Sequence, residues 1–164
     1  MNKKIVILVF GAVLLFGGIV FFARPQEKRV ESLLPTSKGM LAALEQSFDF
    51  GTISMKAGNV SHMFQFKNTG EEPVTIGQMY TSCMCTDATL TIDGKKFGPY
   101  GMPGHGFVPK VNKSIGPDEE ATVEVVFDPA AHGPAGIGKI QRSIILENNA
   151  GDPFEFLISA NVTP

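Results

Sequence analysis

The 164-residue chain has no tryptophan and only two cysteines, and both cysteines fall in one short stretch, "YTSCMCTDATL" from Tyr80 to Leu90. So small a thiol content excludes a disulfide-stapled scaffold, and a chain of this length buries enough apolar surface to fold without staples or a structural metal. An excess of positive charge is also lacking: Ser47 to Pro164 holds eight Lys/Arg against thirteen Asp/Glu, with no basic stripe. Nucleic-acid binding is therefore disfavoured, because the phosphate backbone is held by clustered positive charge. Catalytic signatures are missing as well. No glycine-rich phosphate loop precedes a helix, there is no H-E-x-x-H or G-x-S-x-G, and no spacing singles out a pair of carboxylates. The expectation is a protein that is not an enzyme.

Long apolar runs are scarce, with one exception. Lys3 and Lys4 precede an uncharged run from Ile5 to Ala23, and Arg24, Lys28 and Arg29 follow it. At about 1.5 Å per residue a helix over that run just crosses a hydrocarbon core of roughly 30 Å. A cleaved signal is the rival reading, but its apolar core is usually about 7–15 residues and ends in a small-x-small site, whereas this run is longer and ends Phe21-Phe22-Ala23. The expected organisation is a basic tail over 1–4, a transmembrane signal anchor over 5–23, a tether over 24–46 and a β-domain over 47–164. The short basic head favours a single pass through the inner membrane with the C-terminal domain outside the cytoplasm, in the periplasm. The membrane is then one partner, and a protein partner of unknown identity is expected. In an oxidising compartment, two thiols this close are oxidised, buried or ligated.

The tether, "ARPQEKRVESLLPTSKGM", is polar and broken by Pro25 and Pro35, and "MLAALEQ" after it reads as one or two helical turns capped by Ser37. From Phe48 the pattern changes to period two. "SFDFGTI", "VSHMFQFKN", "VTIGQMYTS", "ATVEVVFDP", "GKIQRSIILENN" and "FEFLISANV" alternate in the manner of half-buried strands, with turn residues between them. Apolar faces without intervening helices need two packed sheets, so the expected fold is all-β, an immunoglobulin-like β-sandwich of about seven strands preceded by one N-terminal transmembrane helix. Asn68-Thr69-Gly70 and Gly116-Pro117-Asp118 read as turns whose residues tolerate positive φ. The stretch Asp93–Glu120, with six glycines and four prolines, reads as a long loop of the kind that is usually functional or disordered.

Five motifs occur in order: "FDFGTI" (Phe48–Ile53), "FQFKNTGEEPVTI" (Phe64–Ile76), "SCMCT" (Ser82–Thr86), "IGPDEEATVEVVFDP" (Ile115–Pro129) and "ILENN" (Ile145–Asn149). Together, over roughly residues 48 to 160, they resemble the bacterial family known as domain of unknown function 1573. The resemblance implies an immunoglobulin-like module of exported proteins and no settled biochemical activity. Met84 stands where that family usually has glycine.

Cys83 and Cys85 leave three readings open. In an extended strand, residues i and i+2 point to one side about 6.5–7 Å apart, and a mild bend brings both sulfurs onto one ion. Thiolates and thioethers select Cu(I), and soft donors are plentiful nearby: Met79 and Met84 locally, Met102 and His105 in "GMPGHG", His62 and Met63 a strand earlier. A Cu(I) site of Cys83 and Cys85 with His105 or Met102 is one reading, and its layout is similar to that of membrane-tethered copper chaperones. A thiol–disulfide role is the second, although no C-x-x-C and no helix N-terminus is present to activate a thiol. The third makes both cysteines small packing hydrophobes beneath a long loop, in a tethered binding or assembly module that works through loops or sheet edges. His62 reads as a core histidine, and His132, in "PAAHGPAG", as an exposed turn residue.

Overall fold

The computed structural model describes residues 36–164. The anchor expected at 5–23 lies outside the described residues, and among these no helix is long and apolar enough to cross a membrane. Ten strands build the domain: β1 (Leu41–Ala43), β2 (Ser47–Ser54), β3 (Val60–Asn68), β4 (Val74–Thr81), β5 (Thr86–Ile92), β6 (Lys95–Tyr100), β7 (Lys113–Ile115), β8 (Glu120–Phe127), β9 (Gly138–Asn148) and β10 (Phe154–Thr163). They form two five-stranded sheets, ordered β1-β3-β8-β5-β6 and β2-β10-β9-β4-β7. The sandwich is as expected from the alternation, and the strand count is corrected from about seven to ten.

Three of the added strands are short or lie in the glycine-rich stretch. Leu41–Ala43 is a strand against β3, not the expected helical turns. The Ser37 side chain caps no helix: it is buried, donates to the Pro73 carbonyl at 2.7 Å and accepts from Gly39 N at 2.9 Å. The β-domain therefore begins before residue 47. The 93–120 stretch contains β6 and β7, so it is only partly loop.

The core lies between the sheets. Phe64 and Phe66 of β3, Leu90 of β5, and Val123, Val125 and Phe127 of β8 meet Val74, Ile76 and Met79 of β4, Ile144 and Leu146 of β9, and Phe156 and Ile158 of β10, all of them buried. Phe64 stacks on Phe156 with ring centroids 4.5 Å apart across the interface. Every second residue of these strands faces inward because successive Cβ atoms point to opposite faces.

β4 breaks that rule once, with consequences for the cysteines. Val74 and Ile76 face the core at even positions, while Met79 and Thr81 do so at odd ones. The switch occurs at Gly77, where the pairing with β9 slips between Ile76 and Gln78. One extra residue in a strand reverses the facing of every residue after it. The Gly77 carbonyl, turned out of the ladder, accepts from Val111 N at 3.0 Å. The odd-numbered phase then carries on through Thr81 to Cys83 and Cys85, both buried.

Candidate functional site

Ser82–Cys85 is the turn that carries the chain from the end of β4, in one sheet, to the start of β5, in the other. The Cα atoms of Cys83 and Cys85 are 5.2 Å apart, closer than strand neighbours, and the two sulfurs are joined as a disulfide. Backbone hydrogen bonds fix the turn. Thr86 N donates to the Cys83 carbonyl at 3.1 Å, and Ser82 N to the Ser143 carbonyl at 3.0 Å. The fully buried Thr81 hydroxyl sits 3.0 Å from the Cys83 carbonyl and 2.8 Å from that of Thr86, so its single proton is shared between them.

The second wall comes from the connection between β8 and β9, which crosses the sandwich at the same end. Thr86 pairs with Phe127 at the last rung of β8, and Asp128 N, one residue later, donates to the Cys85 carbonyl at 2.9 Å. Asp128 Oδ1 accepts from Ala130 N at 2.8 Å, and the Ala130 carbonyl from Gly133 N at 2.9 Å. An Asx turn of this kind reverses the chain locally. It brings the exposed His132 back over the cysteine turn, with Nε2 3.1 Å from Cys83 Sγ. A disulfide sulfur has no proton to give, so this ring nitrogen carries the hydrogen. On the other flank, Arg142 of β9 is half-buried and its Nε donates to Cys85 Sγ at 3.3 Å. Each sulfur thus has its own nitrogen donor.

Cys83, Cys85 and His132 form a group whose ligand atoms all lie within 4.8 Å of one another. Met102 and His105 lie in the turn after β6, where His105 is exposed and its N donates to the Met102 carbonyl at 3.3 Å. The histidine grouped with the sulfurs is His132, not His105. Gly101, just before Met102, accepts from Thr81 N at 3.1 Å, so the β6–β7 connection braces the cysteine turn through its backbone. His62 is the half-buried core histidine expected, stacked on Phe48 at 3.7 Å. His132 and Arg142 escape a sequence reading because 49 and 57 residues separate them from the sulfurs they touch.

The turn motifs are also settled by the geometry. Asp118 takes the positive φ expected of its turn, at 60°, but Asn68 and Gly70 do not. Asn68 is instead a fully buried hub, accepting from Met40 N (3.1 Å) and Gly70 N (3.0 Å) and donating to the carbonyls of Glu72 (2.8 Å) and Ile115 (3.0 Å). Gly70 is needed for room: a Cβ there would come within 2.6 Å of Gly39 Cα and of Met40 N.

The model of the family described as "Protein of unknown function (DUF1573)" matches residues 41–99. That span holds the first three of the five motifs, and "IGPDEEATVEVVFDP" and "ILENN" lie beyond it. The DUF1573 segment runs from β1 through β6 and contains both cysteines, whereas His132 and Arg142 lie beyond it. No curated protein matches the chain. Among solved structures, a protein of unknown function from Porphyromonas gingivalis W83 is similar at 14% identity and a TM-score of 0.54, over 81% of this chain and 51% of that one. A family 123 glycoside hydrolase from Clostridium perfringens is similar at 7% identity and a TM-score of 0.53, over 77% of this chain and 27% of that one. The chain thus spans about half of the first and about a quarter of the second. At such identities the likeness is one of fold, and it agrees with the β-sandwich that frames the DUF1573 segment.

Proposed function

We propose that the protein is a non-enzymatic binding module, anchored in the inner membrane with its sandwich outside the cytoplasm, and that it takes up a soft metal ion of the Cu(I) class as cargo at Cys83, Cys85 and His132. The observation that carries this reading is the convergence of two sulfurs and one imidazole nitrogen within 4.8 Å. Two thiolates favour soft ions such as Cu(I), imidazole accommodates copper too, and carboxylate sites suit harder ions. Charge supports the same choice. Two thiolates around a monovalent ion leave one negative charge, and the Arg142 guanidinium beside Cys85 offsets it. His132 is exposed while both cysteines are buried, so the donor set is open on the histidine side, where a partner protein could receive the ion. The sulfurs bind metal only as thiolates, so the disulfide has to be reduced first.

The test is an anaerobic Cu(I) titration of the reduced full-length protein in detergent against a competing chelator. One ion per chain is expected, lost on Cys83→Ser or Cys85→Ser and weakened about tenfold or more by His132→Ala, with His105→Ala and Met102→Leu unchanged. Unaltered copper stoichiometry in the double cysteine variant would end this reading. The anchor is tested separately: alkaline carbonate extraction of membranes should leave the full chain in the pellet.

A further inference from the structure

We infer that the Cys83–Cys85 disulfide is the acceptor in a thiol–disulfide exchange with a partner protein's dithiol, with Cys83 the sulfur attacked and Cys85 the sulfur released. The inference rests on the surroundings of the disulfide and holds whether or not the reduced pair binds metal.

The two sulfurs are placed unequally. Both cysteines are buried, but Cys83, at 8%, is the less covered and its sulfur lies against the exposed His132, whereas Cys85, at 3%, has its sulfur against Arg142 and Thr86. Exchange is fastest when the attacked sulfur is accessible and the departing one is stabilised as a thiolate. The Arg142 guanidinium Nε already donates to Cys85 Sγ, so a negative charge arising there meets a hydrogen bond in place. His132 Nε2 stands at Cys83, at the edge where an incoming thiol must arrive. Met84, between the cysteines, is 49% exposed, so an apolar side chain stands beside the disulfide.

The chemistry balances without a further reactant. The partner's first thiolate bonds to Cys83 Sγ, the Sγ–Sγ bond breaks, and its electron pair leaves on Cys85 Sγ. The partner's second thiolate then bonds to the partner's first sulfur, breaking the mixed disulfide and releasing Cys83 as a thiolate. The partner dithiol is oxidised to a disulfide, Cys83 and Cys85 are reduced by two electrons, and the two protons from the partner's thiols end on the new thiols or in solvent. The protein is consumed as an electron acceptor, so it turns over nothing by itself.

Oxidised full-length protein in detergent, with a copper chelator present, is mixed with excess reduced glutathione, a single-thiol probe that forms the mixed disulfide. Early time points are quenched by alkylation and mapped by mass spectrometry. Glutathione is expected on Cys83 in at least about tenfold excess over Cys85. An adduct on Cys85, an even split, or a disulfide that resists glutathione altogether overturns the inference. Arg142→Gln should slow opening about tenfold and Arg142→Lys should restore most of the rate, while a Gln variant that opens as fast as the native protein removes Arg142 from the step. The mapping needs no variant, so it decides the sulfur roles even if an Arg142 variant fails to fold. Failure of copper binding alone leaves the adduct pattern untouched, and a missing adduct leaves the copper titration of chemically reduced protein untouched.

Discussion

At the scale of single residues the heaviest structural duty falls on Asn68. Its amide satisfies four backbone groups from three segments, around Met40, Glu72 and Ile115, in a position without solvent. Removing one partner of a buried hydrogen bond leaves the other to bear its desolvation, at about 1–3 kcal/mol for each group left unmade. Three of the four bonds are only part-buried, so water meets part of the loss, and Asn68→Ala is expected to lower stability by about 3–4 kcal/mol in urea unfolding; a loss below about 1 kcal/mol would show that water replaces the whole side chain. Gly70→Ala should cost about 1–3 kcal/mol through crowding against Gly39 and Met40. The sequence showed that Asn68-Thr69-Gly70 is a turn but not why, because an asparagine suits a left-handed backbone and a buried hub equally well. The candidate site was half legible for a related reason. Cys83 and Cys85 stand out by proximity in the chain, whereas His132 and Arg142 reach the sulfurs only through the crossing of β8 into β9.

Elements were legible where their alternation was long. β3, β8, β9 and β10 each run eight residues or more with one face more covered than the other over most of that length, and their period shows directly in the sequence. β1 and β7 have three residues each, too few for any period, and β6 carries a glycine and a proline that mask it. β5 alternates cleanly at Thr86, Ala88, Leu90 and Ile92, but follows the cysteine turn without a glycine or proline to announce it. The extra residue in β4 is decisive for the site. Deleting Gly77 would remove the extra residue, so that Gln78 follows Ile76 on the outer face while Met79 and Thr81 keep facing the core. The deletion variant is expected to keep a cooperative urea transition at a modestly lower midpoint, and loss of that transition would show that the slip itself is needed for folding. The turn before β8 gives a milder case. The Asp118 carboxylate accepts a hydrogen bond from Lys67 at 2.8 Å, which holds its pKa below the usual aspartate range and raises that of Lys67. A depressed carboxylate contributes its stability above the unfolded value and loses it as pH falls through the folded one. Carboxyl NMR should therefore place the Asp118 midpoint below the ordinary range, and Lys67→Ala should return it.

For the whole molecule, the disulfide is a minor part of what holds the fold. It closes the smallest of loops, and the chain-entropy estimate for a ring of that size is about 1–2 kcal/mol. The core of two five-stranded sheets should stay folded when the bond is reduced, so thermal unfolding of the reduced form is expected to remain cooperative at a modestly lower midpoint. Collapse on reduction would make the pair a staple and leave little scope for chemistry there. The two ends of the sandwich are unlike each other. The chain comes in beside Asn68, Glu72 and Asn149, where Ser37 N donates to the Asn149 carbonyl at 2.8 Å and Lys38 N to a Glu72 carboxylate oxygen at 2.9 Å. β8 starts at that end, with Glu120 opposite Lys67, and finishes with Phe127 opposite Thr86 beside the sulfurs. Its eight residues, at about 3.4 Å each, put roughly 24 Å between the two ends. Ser37 therefore stands at one end of the described domain and the sulfurs at the other, so a molecule reaching the proposed site meets the face of the sandwich farthest from Ser37.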